Sequence, residues 1–253
     1  MSKPLDQFVK IRYSEFSGAV VDNWGIDRKE LLKVEGEFKQ IFKRYLSLGC
    51  VATLVGERKS RNEYIQSLIE ASQLCLVLGL KGLENSCCVI LRQSIELVLK
   101  HIYFSTHPVE YEWVTFHEGY RDLTFQKLLD FWIITPEYRA LDPDKTIYTW
   151  LIDWFGVLSR HVHVHSKKFI GYKQVSVRHQ IDITLLRKLN DRTKEIWPLL
   201  TIILAGQFPK SFLKASVVEK RLIRNFLPRK FKDKLDSCLY RAPTPKKDTV
   251  RLP

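Results

Sequence analysis

Six consecutive residues, Arg160-His161-Val162-His163-Val164-His165, hold three of the chain's seven histidines beside an arginine. Imidazole gives and takes protons near neutral pH, with an unperturbed pKa of about 6.5. Guanidinium is a permanent cation whose planar fork matches a phosphate. The pair is suited to acid-base chemistry at a phosphate. Two geometries are open. As a strand, the alternating valines would put all three histidines on one face, where a His-x-His metal pair is conceivable. A zinc site needs a further protein ligand, and no Cys-His or Glu-x-x-His pattern supplies one, so no metal is expected. As the end of a helix, His161 and His165 stack one turn apart while Arg160 and His163 share the neighbouring face. Arg160 and His165 would then lie about 140° apart around the axis. A long arginine at a helix end can still curl toward a phosphate held by His165. An Arg-x4-His spacing also arises by chance in a chain rich in both residues, so its position in the chain carries more weight than the spacing.

The elements that must position this stretch read as helices. Residues 1–27 show no clear period and receive no assignment. From Asp27, a plausible N-cap, Leu31, Val34, Phe38, Ile41, Phe42 and Tyr45 form an amphipathic stripe that Gly49 should end. A second helix is expected from about Asn62 to Leu80, after which Gly79 and Gly82 permit a tight turn. A third, from about Glu84 to Ser105, is apolar around most of its circumference and should be central. Its exception is a stripe of Arg92, Glu96 and Lys100 at four-residue spacing on one face. Either this stripe is a surface ion-pair ladder or it lines a site. The second and third helices should form an antiparallel hairpin.

Pro108 interrupts the pattern, and Val109 to Phe116 alternates like a short strand or extended loop. Helical period returns from Leu123 to Ile134, with Pro136 closing it. Asp142-Pro143-Asp144 is a turn and helix start, and the helix that follows, with Ile147, Trp150, Leu151, Trp154, Phe155 and Leu158, runs directly into Arg160. A long helix from Ile181 to Ala205 should be kinked or split by Pro198. One amphipathic helix, from Ser211 to Phe226, precedes a loose Pro- and Lys-rich end. The class is all-α, with no internal repeat and no glycine-rich phosphate loop.

At 253 residues, with 45% hydrophobic and 27% charged residues, the chain suits one main globular domain with appendages. The expected segments are an N-terminal helical extension (1–58), a helical domain (59–207) and a basic tail (208–253). The net charge is +13, and from Lys210 onward thirteen Lys or Arg face four acids, so the last 44 residues hold most of it. A basic tail is an electrostatic footprint for nucleic acid, less often for an anionic membrane or an acidic partner protein, and gives affinity without sequence specificity. Lys220, Arg221, Arg224, Arg229, Lys230 and Lys232 are the expected nucleic-acid contacts. Five cysteines without CxxC spacing, no secretory leader and no apolar run of about 18 residues point to reduced thiols, a cytoplasmic location and no membrane span. His101, His107, His117 and His179 have no partner pattern and are expected to be structural or surface residues.

An Arg-His motif late in a compact helical chain, after a central helix with an isolated Arg-Glu-Lys stripe, resembles the HEPN superfamily (higher eukaryotes and prokaryotes nucleotide-binding). Its ribonucleases carry Arg-x(4 to 6)-His, matched here by Arg160 and His165, and His161 fits the polar residue often found after the arginine. Leu91-Arg92-Gln93-Ser94-Ile95-Glu96-Leu97-Val98-Leu99-Lys100 looks like the earlier helix of abortive-infection HEPN proteins. Tyr148 to Ser159 resembles their later helix. The likeness covers about Asn62 to Ala205. Relatives with Leu-Ser-x-x-Val-His would place the family histidine at His163 instead.

The resemblance implies an antiparallel helical bundle, to which this chain adds an extra N-terminal helix and a basic helical C-terminal extension that the resemblance does not explain. It also implies a metal-independent, cofactor-free endoribonuclease of phage defence, toxin-antitoxin or stress response, acting as a homodimer under an antitoxin, inhibitor or sensor protein. Under the resemblance the six expected nucleic-acid contacts become RNA contacts. His165 or His163 would move protons for attack by the RNA 2′-hydroxyl, and Arg160 would stabilise the phosphate. His161 would orient a neighbour or substrate, with Glu96 and Arg92 supporting from behind. The alternative is a catalytically silent module of the same shape that binds RNA or nucleotide or docks a partner. A third reading is a basic helical protein whose histidines are incidental.

Overall fold

The computed structural model describes residues 3–56, 63–116, 123–162 and 180–240. Among them the chain forms thirteen α-helices and no strand. They are α1 (Lys3–Trp24), α2 (Arg28–Lys33), α3 (Glu35–Gly56), α4 (Glu63–Leu80), α5 (Glu84–Thr106), α6 (Pro108–Phe116) and α7 (Phe125–Ile134), then α8 (Pro136–Leu141), α9 (Thr146–Val162), α10 (Ile183–Gln207), α11 (Pro209–Leu213), α12 (Val217–Phe226) and α13 (Arg229–Tyr240). No helix of the described residues is long and apolar enough to cross a membrane.

The axis of the molecule is the second half of α10, where every residue from Ile196 to Gly206 is buried. A helix apolar on all sides must be covered on all sides. α3, α5, α8 and α13 supply that cover. α5 is nearly as enclosed, with Leu91, Ile95 and Val98 at 0% exposure. It pairs antiparallel with α4 through a turn that needs Gly82 at φ 72°, the left-handed region open to glycine. α10 is a single helix across Pro198 rather than a split one. Proline forfeits one backbone donor, and the burial of Trp197, Leu199 and Leu200 around it outweighs that loss.

Several local expectations are corrected by packing. The unassigned N-terminus is the 22-residue helix α1, whose buried Leu5, Val9, Tyr13 and Val20 recur every four or seven residues among polar ones. Asp27 does cap a helix, accepting from the backbone N–H of Lys29 at 2.7 Å and Glu30 at 3.0 Å. That helix ends at Val34, and α3 then runs through Gly49 to Gly56. Val109 to Phe116 is helical, not extended: Pro108 takes the first helical position, and Tyr111 is buried against Tyr64 and Phe104. Pro136 likewise opens α8, and Thr135 is both the C-cap of α7 and the N-cap of α8.

The C-terminal segment is built in as far as Tyr240. Its three helices α11, α12 and α13 contribute Phe212, Ile223, Phe231 and Leu235 to the core that Phe38, Leu91 and Trp197 also share. The described residues of the segments 1–58, 59–207 and 208–253 therefore share one hydrophobic core. α13 is also pinned by charge. Lys234 Nζ donates to Asp142 at 3.0 Å and to Asp144, while Asp142 accepts from the N–H groups of Ile147 at 3.0 Å and Tyr148 at 2.9 Å. The same carboxylate thus starts α9 and holds α13.

Two glycines test this packing in opposite directions. A Cβ at Gly206 would stand 2.6, 2.7 and 3.1 Å from three side-chain atoms of buried Leu141. Gly206→Ala should cost about 1–3 kcal/mol from overpacking. A Cβ at Gly49 would meet nothing within 4 Å, so Gly49→Ala should gain up to about 1 kcal/mol from helix propensity. Denaturant midpoints of the two variants check this, and equal midpoints would contradict the close α8–α10 approach.

Candidate functional site

Arg160 and His161 lie in the last turn of α9, which rules out the strand geometry for that half of the stretch. His163 and His165, like His117 and His179, fall outside the described residues. α9 packs antiparallel along α5, burying Ile147, Leu151 and Leu158 at 0% exposure. This brings the two elements singled out in the sequence, the Arg-His turn and the Arg92-Glu96 stripe, onto one seam.

Arg92 is the tie across that seam. Its Nε donates to Ser159 Oγ at 3.1 Å, its terminal nitrogen pairs with Glu96 at 2.9 Å, and its guanidinium lies 4.7 Å from the centre of the Phe155 ring. Ser159 in turn donates to the Phe155 carbonyl at 2.7 Å. Arg92 and Glu96 are each about a quarter exposed, at 23% and 24%. The stripe is therefore not a fully solvated ladder. It holds the residue immediately before Arg160. Arg160 itself is exposed, with no ion-pair or hydrogen-bond partner among the described residues. A guanidinium presented this way at a fixed helix end can take a phosphate through two parallel hydrogen bonds.

His161 is oriented by a residue the sequence reading passed over. Its Nδ1 donates to Asn85 Oδ1 at 3.1 Å, which makes Nε2 the basic nitrogen of the ring. Burial lowers its pKa first, the positive charge of Arg192 lowers it further, and Glu84 pulls the other way. The imidazole is thus neutral at pH 7, the state a proton acceptor needs. Glu84 is held by Arg192 at 2.6 Å and Lys188 at 3.3 Å from α10. Burial pushes its carboxyl up, but these two cations outweigh that and leave its pKa below the ordinary range. Glu84, Asn85, Ser159 and Arg192 are the participants missed. Glu84 had a signal as an acid in the first turn of a helix behind a glycine turn, and Ser159 as the serine of the Leu-Ser-x-x-Val-His pattern.

Among the described residues no group of three His, Cys, Asp or Glu side chains is placed to hold a metal ion. The five cysteines are free thiols. Burial pushes Cys50 up to about 12 and Cys88 up to about 11, so neither is a ready nucleophile. His101 is buried against Phe208, and His107 stacks on Tyr103 at 4.2 Å, both structural placements.

The six cations expected to hold RNA separate into two kinds. Lys220 donates to the Leu213 carbonyl at 2.6 Å and caps α11, while Arg224 makes a two-pronged pair with Asp236, one arm at 2.7 Å. Lys230 sits 3.4 Å from the centre of the Trp150 ring. Arg221 and Arg229 are exposed and Lys232 half-buried, with no hydrogen-bond or ion-pair partner among the described residues. α12 packs on α1 and α3, and α13 on α8, α10 and α11. Trp150, where Lys230 touches α9, is ten residues before Arg160, about 15 Å along the axis.

No family model matches the chain, and no curated protein or solved structure is significantly similar to it.

Two outcomes follow from these contacts. His161 should titrate below 6.5 by NMR, and Arg192→Met should move it back upward by removing a positive neighbour. Since the folded imidazole binds its proton less readily than the unfolded one, its contribution to stability is complete above pH about 6.5 and is lost as the pH falls through that value toward the folded pKa. A midpoint unmoved by Arg192→Met would contradict the electrostatic assignment. For the basic helices, Arg224→Ala should lower stability by no more than about 1 kcal/mol, the pair being partly exposed. If the basic helices hold RNA as the sequence leads one to expect, RNA affinity should stay constant in that variant and fall in Arg221→Ala, as filter binding at fixed salt would read.

Proposed function

We propose that the α5–α9 seam is an RNA phosphodiester-cleaving site of the HEPN type, acting without metal through the 2′-hydroxyl. One observation carries the reading: the helix end bearing Arg160 and His161 is tied by Arg92 and Asn85 to the very face of α5 that carries the Arg-Glu stripe. The two sequence elements that gave the resemblance thus share a seam. Arg160 holds the scissile phosphate and stabilises charge growing on its oxygens. His165 or His163 moves the protons between the 2′-hydroxyl and the leaving 5′-oxygen. His161, neutral and hydrogen-bonded to Asn85, orients substrate or acts as a further proton acceptor.

A second copy of the chain would complete the site. Supporting this, Ile152 and Val157 are 37% and 36% exposed, and with Gly156 they lie on the solvent-facing side of α9 that also carries Arg160. This mixed face, which also carries exposed Thr149 and Asp153, lies beside a cationic helix end and suits a two-fold contact that brings two Arg160 side chains into one cleft. The physiological setting in this reading is a restrained toxin or phage-defence nuclease, with an inhibitor or sensor as partner.

Purified protein with labelled RNA and a chelator tests the proposal. Cleavage should persist in chelator, leave a cyclic phosphate end, and fail on a substrate with a 2′-deoxy residue at the cut site. Arg160→Ala should lower the rate at least about a hundredfold, as should alanine at whichever of His163 and His165 is the acid-base group. Intact RNA bound with strong salt dependence would favour the silent binding module instead. Cleavage unaffected by Arg160→Ala would place the chemistry elsewhere.

A further inference from the structure

A second cleft lies at the opposite end of α9, where Lys145 precedes the first helical residue, about 22 Å along the axis from Arg160. Its volume is about 470 Å³, within the range of small-molecule sites. Ile133, Ile134 and Pro143 give it an apolar wall, Tyr148 a half-buried ring, and Arg139 and Lys145 two cations.

Both of these cations are solvent-exposed. Two carboxylates are close by, and both turn to Lys234: Asp142 at 3.0 Å and Asp144 beside it. Asp142 also lines the cleft, yet its oxygens are committed to Lys234 and to the N–H groups of Ile147 and Tyr148. Arg139 and Lys145 are thereby left without an acidic partner among the described residues. The helix N-terminus is also taken, because Asp142 and Asp144 accept its first amides. An anion in this cleft must therefore be held by the two side chains.

The backbone supplies an independent sign. Lys145 has φ 57°, and it is the non-glycine residue in the left-handed region among those described. A side chain there costs roughly 1 kcal/mol or more relative to glycine, and such strain concentrates at binding sites and switches. A turn that only had to start α9 would be met more cheaply by glycine.

We propose that this cleft binds a planar aromatic anion, its ring between Tyr148 and the Ile133-Ile134-Pro143 wall, its phosphate or carboxylate between Arg139 and Lys145. Tyr138 closes the inner side. Its hydroxyl is buried and hydrogen-bonded to the Asp142 carboxylate, which together raise its pKa to about 12, so it lines the cleft without a free proton for the anion. The site stands apart from the Arg160 seam and holds whether or not that seam cleaves RNA. A ligand there would contact both α8 and the start of α9, the helix that carries Arg160 at its far end.

Calorimetry on the full chain with adenosine 5′-monophosphate, indole-3-carboxylate, adenosine and inorganic phosphate tests this. At least one of the two aromatic anions should bind at one per chain, and adenosine and phosphate should each bind at least tenfold more weakly. Arg139→Ala and Lys145→Gly should each weaken the aromatic anion tenfold or more. Lys145→Gly should at the same time raise the melting temperature by relieving the backbone, which excludes unfolding as the cause of lost binding. Phosphate or adenosine binding as tightly as the aromatic anions, no saturable binding of either anion, or indifference to both cleft variants would overturn the proposal.

Discussion

The constraint on which the structure depends is the complete enclosure of α10 from Ile196 to Gly206. Eleven consecutive residues without a solvent face leave no side for the chain to omit. Each large apolar side chain in such a helix contributes about 1.5–3 kcal/mol only when it is covered. This is why α3 from the N-terminal segment and α13 from the C-terminal one are parts of one core. The basic C-terminal helices are accordingly two-sided. Phe231 and Leu235 face inward at 0% exposure, while Arg229 and Lys230 face out.

The same enclosure explains where polar chemistry is permitted. α5 is buried along most of its length, and the charged groups the candidate site uses lie on the strip that meets α9 and in its first turn. Arg92 is satisfied there by Glu96, Ser159 and the Phe155 ring, and Glu84 by Arg192 and Lys188. These bonds stabilise partly buried charges, which would otherwise be costly. They also fix the helix end from which Arg160 projects. A structural role for the stripe and a positioning role for the candidate site are thus one set of contacts.

Asp142 plays the equivalent part at the other end of α9. It is 1% exposed, caps the helix start and holds Lys234 of α13. Its commitment to Lys234 is what leaves Arg139 and Lys145 uncompensated over the second cleft. A single buried carboxylate therefore links the closure of the core to the electrostatics of a surface site.

The sequence by itself determined the all-helical class, the α4–α5 hairpin with its Gly82 turn, the centrality of α5, and the Asp27 cap. Each follows from local periodicity or turn chemistry, which operates within a few residues. It also marked Arg160, His161, Arg92 and Glu96 through residue type and spacing. Tertiary structure decided the rest. Whether Pro108 and Pro136 end helices or begin them depended on what Tyr111 and Tyr138 could bury against. Whether Lys220 and Arg224 were free cations depended on the Leu213 carbonyl and Asp236 lying within reach. Asn85 and Arg192 entered the site only because α5, α9 and α10 converge there, 76 and 31 residues from His161 in the chain. Hydrogen bonds and charge act over a few ångströms in space, and no one-dimensional pattern encodes which distant residues will be brought within that range.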